Sequence, residues 1–197
     1  MSYPVTIAVE PRRQSGARLT VAFRPILALP HALLVGPLWF ARIGATGVLG
    51  AAAGLMAVVN WFAIVVAGRD LDGIRQFQLY YLRWRVRALA YMALFVDDYP
   101  PFGEASYPAG LDVVAPIGRD RTSVGFRLIL ALPHILLLCL LVLGWVIVTV
   151  VAWFVIVFTG RYPEGLEPFA LGCLRWLIRV EAYALLLVDE YPPFALT

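Results

Sequence analysis

The sequence predicts an all-α integral membrane protein made of two parallel repeats. Each repeat is expected to hold a short N-terminal strand, a transmembrane hairpin and an interfacial amphipathic helix. Three observations carry this. Phe23–His31, FRPILALPH, returns at Phe126–His134 as FRLILALPH, with eight of nine residues identical. Trp61–Phe102 returns at Trp153–Phe194 with 22 of 42 identical. The chain is 61% hydrophobic and 15% charged, with mean hydropathy +0.80, whereas a soluble domain is about half apolar and a quarter charged. The repeat is too long for a solenoid unit. It divides the chain into a first unit at 1–102, a linker at 103–110 and a second unit at 111–197.

The first element is a strand. Val5, Ile7 and Val9 alternate with Thr6, Ala8 and Glu10, the pattern of a half-exposed strand. Tyr3-Pro4 recurs as Tyr107-Pro108, which places the counterpart near Leu111–Val114. The two strands could pair, although a two-stranded ribbon alone is marginal.

The apolar sections follow. Ala45–Ala67 is 23 residues without a charge and Leu128–Gly160 is 33, against the roughly 20 that cross a bilayer. In unit one the section predicts a hairpin, Leu19–Phe40 and Ile43–Ala67, with Arg42 near the turn. Unit two is eleven residues shorter there. Splitting it at Gly144 leaves a second leg of about 23 Å, short for a core of about 30 Å. The alternative is one long span kinked at Pro133.

The third element is a helix, Gly73–Val96 and then Gly165–Val188. Arg83, Arg87 and Tyr91 are spaced i, i+4, i+8 and share one face, as do Arg175, Arg179 and Tyr183. Two arginines at mid-bilayer cost about 5–7 kcal/mol, so an interfacial position is expected. Tyr-Pro-Pro-Phe then stops each helix.

All sixteen basic residues are arginine. They flank apolar segments, so they point to lipid headgroups and the positive-inside rule, and no nucleic-acid partner is expected. If each unit crosses an even number of times, nearly all fall on one side, with both termini cytoplasmic. That implies a multi-pass membrane protein; no short hydrophobic stretch followed by a small-residue cleavage site opens the sequence, so no removed signal peptide is expected.

A Tyr-Pro strand, Phe-Arg-x-Ile-Leu-Ala-Leu-Pro-His, Trp-Phe-x-Ile…Gly-Arg, Leu-Arg-Trp-x-x-Arg-Val and Asp-x-Tyr-Pro-Pro-Phe occur together. The combination resembles the bacterial membrane family catalogued as domain of unknown function 4389. The resemblance covers both units and implies a bacterial membrane protein, with no activity attached.

Candidate binding residues are the repeat-equivalent cations Arg24, Arg69, Arg83, Arg87, Arg127, Arg161, Arg175 and Arg179. Guanidinium groups suit bidentate phosphate contact, so the partner expected is an anionic phospholipid; the competing reading is a generic snorkelling belt. Gly50 and Gly54 are spaced for close helix packing. His31 and His134 could hold a haem iron or metal between the units. No carboxylate or Cys cluster supports that, so each is read as a hydrogen-bonding group, and no cofactor is expected. Asp97/Asp98 and Asp189/Glu190 are expected to salt-bridge or cap. Phosphate loops, nucleophile elbows and HExxH are absent from the sequence, so the chain is expected not to be an enzyme. The function expected is an accessory or scaffold subunit, self-associating or in a larger membrane complex. The alternative is a small carrier or channel at the seam between units.

Overall fold

A computed structural model describes residues 3–10, 18–38, 47–163 and 165–196. Its elements run β1 (Val5–Val9), α1 (Arg18–Leu27), α2 (Leu29–Val35), α3 (Gly47–Phe62, continued by a π turn Ala63–Ala67), α4 (Asp72–Met92), β2 (Ala109–Val113), α5 (Arg121–Gly125), α6 (Arg127–Thr159) and α7 (Glu167–Ala184). Both strands form where the alternation predicts them. They pair antiparallel, Val5 with Val113 and Ile7 with Leu111, and bury Val5, Ile7, Ala109 and Leu111.

The expected hairpin in unit two is not formed. α6 is one helix of 33 residues running straight past Gly144, about 50 Å long. Its single proline, Pro133, costs one donor near the start and leaves the ladder otherwise continuous. Unit one carries Pro25 as well as Pro30, and two missing donors so close together bend α1 against α2 by 41°. Beyond that bend the rod resumes where it stopped. A Cβ placed on Gly47 would lie 2.5 Å from the Leu34 carbonyl oxygen and from the Gly36 nitrogen, so α3 starts against the last turn of α2. The repeat offset drops from 103 to 92 across this point, so the eleven extra residues of unit one sit between two halves of one rod. Arg42, the expected turn, lies outside the described residues, as do Arg12 and Arg13.

What runs back along each rod is the third helix. Arg24 meets the end of α4 at Tyr91, His31 meets Trp84, Ala53 meets Gln78, and Asn60 meets the Leu71 N–H. In unit two His134 meets Trp176, Leu141 meets Cys173, and Gly144 lies against Phe169. Each unit is therefore a rod with an antiparallel companion. α4 and α7, expected at an interface, are instead interior: Val86, Leu89 and Ala90, like Leu177, Ile178 and Val180, are fully buried. The rods cover one side of this pair, and β1 and β2 pack on α7 and α4 from the other.

Contacts between units are reciprocal. Trp61 Nε1 donates to the Val124 carbonyl at 2.9 Å, and Trp153 Nε1 to the equivalent Val21 carbonyl at 2.8 Å. Tyr3 donates to the Glu190 carbonyl and Tyr107 to that of Asp98. The start of each rod thus meets the end of the other, and the long helices run antiparallel. The hairpin expected in each apolar section is corrected here, since neither section doubles back on itself.

Candidate functional site

The eight predicted cations do not gather in one pocket. Arg24 and Arg127 are 1% exposed. Arg24 donates to the Tyr91 and Val96 carbonyls and pairs with Asp97 at 3.0 Å, with its guanidinium carbon 4.4 Å above the Tyr91 ring. Arg127 repeats this with Tyr183, Val188 and Asp189, 4.0 Å above the Tyr183 ring. The local reason is the helix end. α4 stops at Met92 and α7 at Ala184, and Leu94 and Leu186 take left-handed backbone. The Tyr91 and Tyr183 carbonyls accept from the Leu94 and Leu186 N–H groups, and with the Val96 and Val188 carbonyls just beyond they face inward, where a buried guanidinium supplies further donors. These two arginines brace the fold and are removed from the lipid-binding set. The expected salt bridges of Asp97 and Asp189 are formed by this same brace.

Four of the remaining six lie on the ribbon side of α4 and α7. Arg83 is 3.6 Å from Glu104, Arg87 donates to the Gly103 carbonyl, Arg179 stands over Tyr3 at 5.8 Å, and Arg175 is half-buried. Arg69 and Arg161 are exposed where each rod ends. They sit with Arg121 and Arg18, which the sequence reasoning did not select. Arg121 lies against Gly68, and Arg18 lies against Gly160 and donates to the Thr159 carbonyl. Each rod end thus carries two exposed guanidiniums, one from each unit.

The rods leave two apolar grooves between them, related by the repeat. One, about 340 Å³, is lined by Ala28, Ala32, Val146, Val150 and Trp153. The other, about 390 Å³, is lined by Ala131, Ile135, Gly54, Val58 and Trp61. Gly54 opens that groove. Gly50 admits Tyr81, whose phenol oxygen would be 3.0 Å from a Cβ there, so its close packing is internal. The outer faces of both rods are apolar and exposed, from Leu29, Leu33 and Val58 on one to Leu136, Leu140 and Phe154 on the other.

The histidines stay apart, each in its own aromatic box. His31 Nδ1 accepts from Trp84 Nε1 at 3.0 Å and its ring stacks on Phe102 at 4.6 Å; His134 repeats this with Trp176 and Phe194. No cluster of three metal-ligating side chains occurs among the described residues.

Sequence reasoning missed the pair at the centre. Arg85 Nε donates to Glu181 Oε2 at 2.7 Å, both side chains fully buried between α4 and α7. Burial pushes the Glu181 carboxyl upward, and the guanidinium beside it pulls back. The signal was present in the repeat: Leu177 stands opposite Arg85, and Leu89 opposite Glu181. A second missed cation, Arg119, joins Asp70 and Asp189 at 2.6 and 2.7 Å.

These features define a duplicated helical slab, with an apolar face of two antiparallel rods and a polar face of ribbon, loops and arginines. The chain belongs to the family described as Domain of unknown function (DUF4389), whose pattern matches twice, over residues 18–103 and 121–195. No curated protein and no solved structure matched.

Proposed function

We propose that this chain is a non-enzymatic accessory or scaffold protein of the bacterial plasma membrane. It holds anionic phospholipid, and through that surface a membrane-protein partner or a second copy, at the cytoplasmic face. The observation that carries the reading is the exposed apolar face along both rods. Soluble monomers rarely expose contiguous apolar patches beyond a few hundred Å². The exposed guanidiniums of Arg18, Arg69, Arg121 and Arg161 border that face, where they would meet phosphate. A carrier needs a polar path, and the two grooves between the rods are lined almost wholly by apolar side chains, which favours the scaffold.

The test is fractionation followed by flotation. The chain is expected to remain with membranes through alkaline carbonate and to float with vesicles containing phosphatidylglycerol. Replacing Arg69 and Arg161 by Ala should weaken flotation on anionic vesicles by roughly 30-fold, at about 1 kcal/mol for each surface arginine. A chain that washes free, or floats equally on neutral vesicles, would refute the proposal.

A further inference from the structure

We infer that the rods do not cross the bilayer but lie along it, so that the protein is seated in one leaflet by its two-rod face. The inference rests on the membrane reading above and specifies how the surface is used. It starts from where the chain must travel. Leu94, just past α4, packs with Val21, Ala152 and Ile156 at one end of the slab. Val124, at the start of the second rod, packs with Ile64 and Leu186 at the other end. From Arg127 to Ala152 is 25 residues of helix, about 37 Å. Residues 97–120 must therefore run most of the length of the rods to join the two units.

They do so without a helix. The segment holds β2 and otherwise turns and loops, with Asp97, Asp98, Glu104, Asp112, Arg119 and Asp120 along it. Asp112, Glu104 and, on the paired strand, Thr6 and Ala8 are exposed. A spanning orientation would place this open two-stranded ribbon and its charges at the depth of the rod centres. Exposed strand edges and irregular backbone do not occur against hydrocarbon, because nothing there satisfies their polar groups. Hydropathy and length alone permit α6 to span. The ribbon packed behind it, on the far side of α4 and α7, does not.

In-plane seating removes the conflict. A rod is about 10–12 Å thick with its side chains, and in-plane helices bury their apolar face about 5–10 Å. Leu33, Leu136, Leu140 and Phe154 then face acyl chains while the ribbon faces water. The pseudo-two-fold axis passes through the Ile7–Leu111 pair and between the rods, so it stands along the membrane normal. Both rod ends, with Arg18 and Arg161 at one and Arg69 and Arg121 at the other, meet the same boundary. The occupant of the apolar face is thus a single leaflet of lipid.

The experiment places single cysteines in a Cys139→Ser background of the full chain: Arg18→Cys, Arg161→Cys, Arg69→Cys, Arg121→Cys and Asp112→Cys. All five positions are exposed, so the core is untouched. Sealed vesicles of both orientations are treated with a membrane-impermeant maleimide. The expected result is labelling of all five from one side and loss of all labelling from the other. Trypsin on the unaltered chain should cut from that same side only, which covers any variant that misfolds. Labelling of the two rod ends from opposite sides, or an Asp112→Cys that labels from neither, overturns the inference while leaving the membrane reading intact. Release of the chain by carbonate would overturn the membrane reading first, and this one with it.

Discussion

Replacing Glu181 by Leu, the residue at the equivalent position 89, isolates the central ion pair. The Arg85 side chain is fully buried, and its Nε would lose its acceptor, Glu181 Oε2 at 2.7 Å. Its other contact, from Nη1 to the Val35 carbonyl, persists, so the cation stays inside with a donor exposed to apolar walls. Removing one partner of a buried pair costs about 3–5 kcal/mol. For a chain of this size that lowers Tm by roughly 6–20 °C, at about 2–4 °C per kcal/mol. Arg85→Leu, which copies Leu177, should cost a similar amount by stranding the carboxylate. The double replacement should behave differently. Among the described residues, Arg85 Nη2 and Glu181 Oε1 have no hydrogen-bond partner, so the pair is incompletely satisfied and its desolvation is poorly offset. Two leucines in its place should be neutral, or more stable by about 1–4 kcal/mol. Thermal unfolding in mild detergent, followed by tryptophan fluorescence across the four-protein cycle, measures this. Additive losses in the double variant, or single losses under about 1 kcal/mol, would show that the pair is solvated and the interior assignment wrong.

Other outcomes follow from the same contacts. Arg24→Gln and Arg127→Gln should each cost about 3 kcal/mol, since each removes a buried charge that a half-buried carboxylate and two inward-facing carbonyls share; lipid co-purifying with the protein, measured by mass spectrometry, should not change. Gly50→Leu must displace the Tyr81 phenol and should lower stability by about 1–3 kcal/mol in the same melt. Cys139 is exposed and should react with a small maleimide in detergent. Cys173 is fully buried and its thiol is pushed up to about 12 by that burial, so it should react only on unfolding.

Local order was legible in the sequence and direction was not. The alternation at Val5, Ile7 and Val9 gave the strand because period-two burial is written residue by residue. The helices at Asp72–Met92 and Glu167–Ala184 begin within two residues of the expected starts but stop four residues short of the expected ends, at left-handed Leu94 and Leu186 rather than at the double prolines. A charge-free run, by contrast, reads the same whether it turns back or continues; the unbroken α6 and the packing of Gly47 against Leu34 show that both rods continue, and the Trp61–Val124 and Trp153–Val21 contacts give their direction. Arg24 and Arg127 were misplaced for a related reason. An arginine beside an apolar run suits a phosphate and a buried helix terminus equally, and the carbonyls that claim it belong to residues 67 and 56 positions away. The central pair could have been found, since complementary charges replace leucines at two repeat positions one helical turn apart.

The reciprocity of the contacts has a consequence for how such a chain arises. A lone ancestral unit would have offered Val21 to a twin's tryptophan and its own tryptophan to the twin, completing the slab as a symmetric dimer. Fusion freed the copies to diverge. In a dimer of identical chains, an arginine at position 85 with a glutamate four residues later would be present on both sides of the seam. Here each helix carries one charge and one leucine at these places, so a single charged couple sits off the symmetry axis, an asymmetry that two identical chains cannot encode.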